Sequence, residues 1–403
     1  MTAFARVADL ADQIRGVTYA KEDATSNPRP GYLPVLRAGN IADDGLVFDD
    51  LVFVPAERIA PAQKIRRNDV VIATSSGSLD VVGKAARALA DFDGGFGAFC
   101  KVLRPGPGID PAYFAHFFRT REYRQRVSAL AAGANINNLK NEHLNEFRVP
   151  LPPLPEQRRI AAILDKADAL RAKRRAALAQ LDTLTQSIFL DLFGDTRKER
   201  TRWPTVPLEE IVRETKIGLV RGSQEFGPEF PIPYVRMNAI TRNGLLELGN
   251  VQRTHATETE IEAYRLEPGD FLFNTRNSEE LVGKTALYRG SGLHLFNNNL
   301  MRVRFTAKAD AVFVAAAFKT AFVQHELNLR KSGTTNVFAI YYKELRSLPL
   351  PLPPIALQRE FARRVTAVEA LKTAQRASLA ELDALFASLQ HRAFRGGCSD
   401  ASR

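Results

Sequence analysis

The feature that most constrains this chain is that it repeats itself. Displacing the 403-residue sequence by about 200 positions lays a series of blocks in its first half on blocks in its second, in the same order. Pro34-Val-Leu-Arg37 falls on Pro233-Tyr-Val-Arg236, and Asp44-Gly45 on Asn243-Gly244. Asn68-Asp-Val-Val-Ile-Ala-Thr74 falls on Gly269-Asp-Phe-Leu-Phe-Asn-Thr275, and Val82-Gly-Lys84 on Val282-Gly-Lys284. Gly133 matches Gly333, and Pro150-Leu-Pro-Pro-Leu-Pro-Glu-Gln157 matches Pro351-Leu-Pro-Pro-Ile-Ala-Leu-Gln358. The offset wanders only between 199 and 201, so any fold must be built from two similar halves.

Each half has two parts. The first reads as short strands such as Leu51-Val-Phe-Val54, Asp69-Val-Val-Ile-Ala73 and Asp270-Phe-Leu-Phe273, punctuated by Gly, Asn, Asp and Pro. One helical stretch is expected inside each, over Pro111 to Leu130 and Ala309 to Leu329. The second part opens on a proline clamp, which holds the entering chain extended. A long helix then runs from Glu156 to about Leu192, roughly 55 Å at 1.5 Å per residue. Gly194 is its expected C-cap, and residues 196–204 form a polar linker. Its apolar series is Ile160, Leu164, Ala167, Leu170, Leu178, Leu181, Leu184 and Ile188. The partner series is Phe361, Val365, Val368, Leu371, Leu379, Leu382, Leu385 and Leu389. Both have the spacing of a coiled-coil seam, with Ile160, Leu164, Leu170, Leu181, Ile188, Phe361, Val368, Leu382 and Leu389 at its centre. The fold class expected is therefore α+β. Two similar domains, residues 1–151 and 197–350, are joined by a central helix in 152–196 and a C-terminal helix in 351–403. Antiparallel packing of those helices would put the heads at opposite ends, related by an approximate two-fold axis.

Chemistry of its own is hard to find. Phe92-Asp-Gly-Gly-Phe-Gly97 superficially has the glycines of a methyltransferase loop, but Ala98 to Leu103 behind it reads as a strand, so a hairpin turn is expected. Asn27-Pro-Arg-Pro30 lacks the aromatic residue that would stack on a base, and Glu214-Thr-Lys216 lacks the upstream Pro-Asp of a nuclease. There is no phosphate loop of the Walker type. The six histidines show no paired ligand spacing, so no metal is expected. Cys100 and Cys398 lie far apart, no apolar run reaches the length of a membrane span, and a cytoplasmic location is expected. The net charge of +11 favours a polyanionic partner.

What recurs instead is a set of donor-rich loops. In the first half they contain Thr74, Ser75, Ser76, Ser78 and Lys84, then Asn135, Asn137, Asn138 and Lys140. In the second they contain Thr275, Arg276, Asn277, Lys284 and Asn298, then Thr334, Thr335, Asn336 and Lys343. Asn and Arg fork onto adenine and guanine edges, while Ser, Thr and Lys suit phosphates. Any one such residue is adequately explained as part of a turn. As sets at equivalent positions of a basic protein, the loops read as nucleic-acid contacts. Their letters differ between halves while the frame is shared, as two different half-sites would require. On the helix, Arg171, Lys173, Arg174 and Arg175 form a basic cluster open to a solvated or a partner-facing reading.

The clamp with Glu156-Gln157-Arg-Arg-Ile-Ala-Ala-Ile-Leu164 resembles the central segment of the specificity subunits of type I restriction–modification systems. Val7-Ala-Asp-Leu-Ala11 through Arg15-Gly-Val-Thr-Tyr19 resembles the opening of their target recognition domains. The resemblance spans the whole chain and implies a non-catalytic subunit. Each head would recognise half of a bipartite site in double-stranded DNA, and the helices would fix the gap. It also implies two modification subunits that bind S-adenosylmethionine and methylate adenine, and restriction subunits that use ATP and Mg to translocate and cut. No cofactor is expected on this chain itself. The second clamp departs from the first, with Ile355-Ala-Leu357 where the first has Leu154-Pro-Glu156. A system whose methyltransferase and nuclease are one fused partner, and a coiled-coil scaffold that binds only protein, stay open as alternatives.

Overall fold

Apolar runs bounded by turn formers pair into antiparallel sheets in both halves of the chain. The structure, a computed structural model, describes residues 3–132, 138–194, 203–334 and 337–395. It forms two units, residues 1–177 with 375–403, and residues 178–374. In the first unit, β1 (Ala11–Arg15), β2 (Val70–Ala73), β3 (Ala85–Arg87) and β4 (Cys100–Pro105) are ordered β1-β4-β2-β3. In the second, β5 (Val212–Ile217), β6 (Phe271–Asn274), β7 (Thr285–Leu287) and β8 (Leu300–Phe305) repeat that order as β5-β8-β6-β7. Val102 sits in register with Ile14 and Val71, and Val303 with Thr215 and Phe271. A smaller sheet recurs too: Tyr32–Leu36 lies between Val52–Pro55 and Gly95–Phe96, as Ile232–Val235 lies between Gln252–Thr254 and Leu295–Phe296.

The chain leaves β1 and β5 through a glycine for a steric reason. A Cβ on Gly16 would stand 2.0 Å from the Gly97 carbonyl oxygen, and one on Gly218 would stand 2.2 Å from that of Asn297. Only glycine admits this approach, which seats Val17 beside Gly97 and Leu219 beside Asn297 as parallel bridges. In both copies the first strand closes on the residues just ahead of the long helix. Ala3–Arg6 pairs with Arg148–Leu151, and Thr205–Pro207 with Pro349–Pro351.

Each single helical stretch expected inside a head is broken in two. Pro111–Phe117 and Arg121–Ala132 replace the first, Ala311–Ala317 and Ala321–Asn328 the second. The cause is a threonine. Thr120 Oγ1 donates to the Phe117 carbonyl (2.8 Å) and accepts from Tyr123 N (3.2 Å). Thr320 does the same with Ala317 and Val323. A side chain that ends one helix and caps the next competes with continuous helix. Asp110 and Asp310 cap the preceding starts.

The central helix spans Leu154–Phe193 and the C-terminal helix Ile355–Phe394. Gly194 follows the former in the left-handed region, φ 79°. Inside each unit the two helices run antiparallel. Arg171 meets Asp383 (2.6 Å) and Arg174 meets Gln375 (3.1 Å) in the first; Lys372 meets Asp182 (3.1 Å) and Arg364 meets Asp191 (3.8 Å) in the second. The seam differs from the one expected. Leu164, Phe361 and Val368 are buried and Ile160, Leu181, Ile188, Leu382 and Leu389 are half-buried, but Leu170 faces solvent, 42 % exposed. Leu184, Leu371 and Leu385 are exposed as well. The heptad phase set by Phe361, Val365 and Val368 continues to Lys372, Gln375, Leu379, Leu382 and Phe386, so leucines one residue off that phase turn outward.

The heads pack on these helices through aromatic clusters. In the first unit Tyr113 lies 4.8 Å from Phe394, and the Arg171 guanidinium covers Phe386 at 4.3 Å. In the second, Phe189, Phe193, Phe313 and Phe361 surround one another at 4.9–6.0 Å. Buried glutamines join helix to head: Gln157 Oε1 accepts from Asp110 N (2.8 Å), and Gln358 Oε1 from Asp310 N (2.9 Å). Among the described residues no helix is long and apolar enough to cross a membrane.

Candidate nucleic-acid interface

The loops singled out in the sequence converge in each head, held by the same backbone bonds. β2 ends at Thr74, whose N–H and hydroxyl both donate to the Phe99 carbonyl (2.8 and 3.1 Å). Ser75 N–H donates to that carbonyl too, and Leu139 N–H donates to the Thr74 carbonyl (2.7 Å). Residues 74–80, 97–99 and 138–140 thereby form one surface. β6 ends equivalently: Thr275 N–H and hydroxyl donate to the Asn299 carbonyl (2.9 and 3.1 Å), and Ile340 N–H donates to the Thr275 carbonyl (3.0 Å). Here the surface is woven further, because Arg276–Asn277 pairs with Val337–Ala339, which pairs with Ser332–Thr334.

This geometry sorts the residues read from the sequence. Thr74 and Thr275 are buried under the loops, 2 % and 1 % exposed, and their hydroxyls are spent on backbone, so they hold the loops and do not face a ligand. Lys284 is turned inward as well, donating to the carbonyls of Met237 and Ile240, and burial lowers its pKa. Lys84 is half-buried with its ammonium 3.3 Å from Asp43. Asn277 is occupied by Asn274 and by Ser278 N–H. Facing outward are Ser78, Asn138 and Lys140 in the first head, with Ser75 and Ser76 half-exposed. Arg276, Asn298 and Lys343 face outward in the second. The Arg276 guanidinium has no hydrogen-bond partner among the described residues, while its backbone is held by Ala339 and by the Asn274 amide. Thr334 lies in a strand, and Asn135, Asn137, Thr335 and Asn336 fall outside the described residues.

Other residues were not legible as part of this surface. Phe99 stands 67 % exposed in the surface of the first head, with Leu79 exposed beside it, and Val337 and Tyr341 are exposed in the surface of the second. Arg124 reaches the carbonyls of Val82 and Asp80, and Lys331 that of Glu279, so each head props its first loop with a cation from a helix or its end. Lys101 is nearly buried beneath Asn141, to which it donates; burial lowers its pKa first, and Arg15 adds to the effect. Their roles depend on contacts far apart in sequence.

The Glu214-Thr-Lys216 motif is structural. Glu214 Oε1 accepts from Arg302 (2.6 Å), which holds its carboxyl below the usual range. Asp69 with Arg104, and Asp270 with Arg304, are buried pairs at one place in both sheets. A cavity of about 540 Å³ in the first unit is walled by Ala85, Ala86, Ala112, Ala115, Ala169 and Ala172, away from the loops. Among the described residues no group of His, Cys, Asp and Glu could hold a metal.

The profile of the family described as Type I restriction modification DNA specificity domain matches residues 3–180. The chain is 33 % identical over 411 residues to the type I restriction enzyme EcoKI specificity subunit of Escherichia coli (strain K12), covering 97 % of this chain and 88 % of that protein. The chain belongs to the type I restriction–modification specificity subunits. It is also 32 % identical over 417 residues to the StySPI specificity subunit of Salmonella potsdam, covering 98 % of this chain and 88 % of that protein. Its fold matches the crystal structure of the type I restriction–modification S subunit from M. genitalium, with a TM-score of 0.62 at 16 % identity over 98 % of this chain and 96 % of that one. Specificity subunits are the non-catalytic, DNA-directing components of their enzymes, and the loop surfaces lie in the parts of this specificity subunit that differ between its copies.

Proposed function

We propose that each head of this specificity subunit reads one half of a bipartite site in double-stranded DNA through its converged loop surface. The observation that carries this is the repeated frame with changed letters: Thr74 and Thr275 pin the same three segments, while Ser78, Asn138 and Lys140 face out of one head and Arg276, Asn298 and Lys343 out of the other. Lys140 and Lys343 suit phosphates and set register; the Asn138 amide suits adenine and the free Arg276 fork guanine. The helices between the heads set the gap between the half-sites. Two modification subunits dock on the chain, bind S-adenosylmethionine and methylate adenine, and restriction subunits join them with ATP and Mg. The assembled complex works in the cytoplasm, on the DNA it reads.

The test is binding to duplex DNA as salt is varied. Phosphate contacts make log K fall linearly with log salt, and Lys140→Ala should lower the slope by about one. A salt-insensitive complex would refute the reading. Inserting four residues near Ala177 should change the gap in the recognised site and spare both half-sequences.

A further inference from the structure

We propose that Phe99 is a specificity-determining residue of the first head, placed to pack its ring on the methyl group of a thymine in the half-site that head reads. This rests on the loop surface being the DNA-facing one. Three donors fix the Phe99 carbonyl: Thr74 N–H, Thr74 Oγ1 and Ser75 N–H, at 2.8, 3.1 and 3.1 Å. The next residue, Cys100, is fully buried, and its N–H closes a turn on the Gly97 carbonyl (2.8 Å). A backbone pinned on one side and anchored by its neighbour on the other leaves the ring projecting, 67 % exposed. No ring or cation contact holds it among the described residues.

The second head shows that the fold does not need an aromatic ring there. Asn299 occupies the same place, its carbonyl accepting the same pair of bonds from Thr275, but its amide turns inward to Met237 Sδ (3.7 Å). One position of a shared frame thus presents an apolar ring in the first head and a retracted amide in the second. The loops beside Phe99 carry the donors Ser76, Ser78, Asn138 and Lys140, and the exposed apolar side chains among them are Ala98 and Leu79. A protein-docking patch would surround such a ring with further apolar area. A ring among donors instead matches the mixed edge of a base pair, on which the thymine C5 methyl is the apolar feature of the major groove.

The experiment uses the full chain assembled with its modification subunit, first to map the methylated motif, then to measure binding to duplexes of that motif. At each thymine of the first head's half-site, dT is replaced by dU, which lacks only the methyl group. Burying one methyl is worth about fourfold in affinity. At one position dU should weaken the wild-type complex about fourfold and leave Phe99→Ala unaffected, and the methylated motif of Phe99→Ala should relax at that position alone. Phe99→Leu should keep part of the discrimination. Equal losses for Phe99→Ala on dT and dU duplexes, relaxation in the other half-site, or wild-type behaviour of Phe99→Ala would each overturn the proposal. So would a defect confined to assembly with the modification subunit. Lys140→Ala and Ser76→Ala, measured beside it, separate the two levels: if they weaken binding while Phe99→Ala does not, only the Phe99 assignment fails. If all three bind as wild type, the loop surface itself is misassigned.

Discussion

The glutamine that follows each proline clamp should be worth more to its own unit than any exposed residue of the helix it begins. Gln358 is fully buried; its Oε1 accepts from Asp310 N–H (2.9 Å), and its Nε2 donates to the carbonyls of Pro353 (2.7 Å) and Lys308 (3.2 Å). Gln157 makes the bond to Asp110 N–H (2.8 Å) and one to the Pro152 carbonyl (2.8 Å). Leucine fills nearly the same volume and makes none of these bonds. Each polar group left unpaired in a buried place costs on the order of 1–3 kcal/mol, partly offset by the added apolar contact. The expected loss is therefore about 3 kcal/mol for Gln358→Leu and about 2 kcal/mol for Gln157→Leu. With a urea slope of about 2 kcal/mol/M, the midpoints fall by roughly 1.5 M and 1 M. Hydrogen exchange assigns the effect, since the Asp310 amide should lose protection in the first variant and the Asp110 amide in the second. Losses under about 0.5 kcal/mol, or an Asp310 amide as protected as in the wild type, would refute the view that these glutamines tie head to helix.

Three further outcomes are expected. Thr74→Val and Thr275→Val should each cost about 1 kcal/mol of stability, for one lost bond to a carbonyl that keeps another donor, and leave the methylated motif unchanged; a changed motif would make these threonines readers. Lys372 is buried between Glu369 (3.0 Å) and Asp182 (3.1 Å), yet the Asp182 carboxylate reaches water, so Lys372→Met should change thermal stability by no more than about 1 kcal/mol. Melting curves showing a loss above about 3 kcal/mol would contradict that. Glu260 is held down to about 2 by the Arg221 guanidinium and then by Thr257 N–H. Because that value lies below its unfolded one, its stabilisation is complete above about pH 4.5 and is lost as the pH falls towards 2. The protection factors of the Glu258–Tyr264 amides, taken relative to intrinsic exchange at each pH, should fall over that window in the wild type and stay flat in Glu260→Gln.

The repeat, the clamps, the long helices and the loops were legible because each depends on local sequence: proline fixes φ, Gly-rich punctuation ends strands, and alternating spacing shows through forty residues. Long-range partners hid the rest. A seam inferred from apolar spacing takes in Leu170, Leu371 and Leu385, which face out, and misses Lys372 and Gln375, which the phase set at Phe361 carries into it. Thr120 and Thr320 split helices whose apolar pattern runs on unbroken. Thr74, Thr275 and Lys284 have the chemistry of DNA ligands, and only the carbonyls of Phe99, Asn299, Met237 and Ile240 show that they are spent inside the head. Phe99 is hidden because an aromatic residue in a strand-like run reads as core.

The most direct measurement is adenine-methylation mapping across a genome in cells that co-express this chain with its modification subunit. Repeating it with residues 1–151 exchanged for those of a relative of different specificity isolates one head. The expected result is a bipartite motif, absent without the chain, in which the exchange rewrites one half and leaves the other intact. A motif independent of this chain, or an exchange that alters both halves together, would contradict the assignment of one half-site to each head.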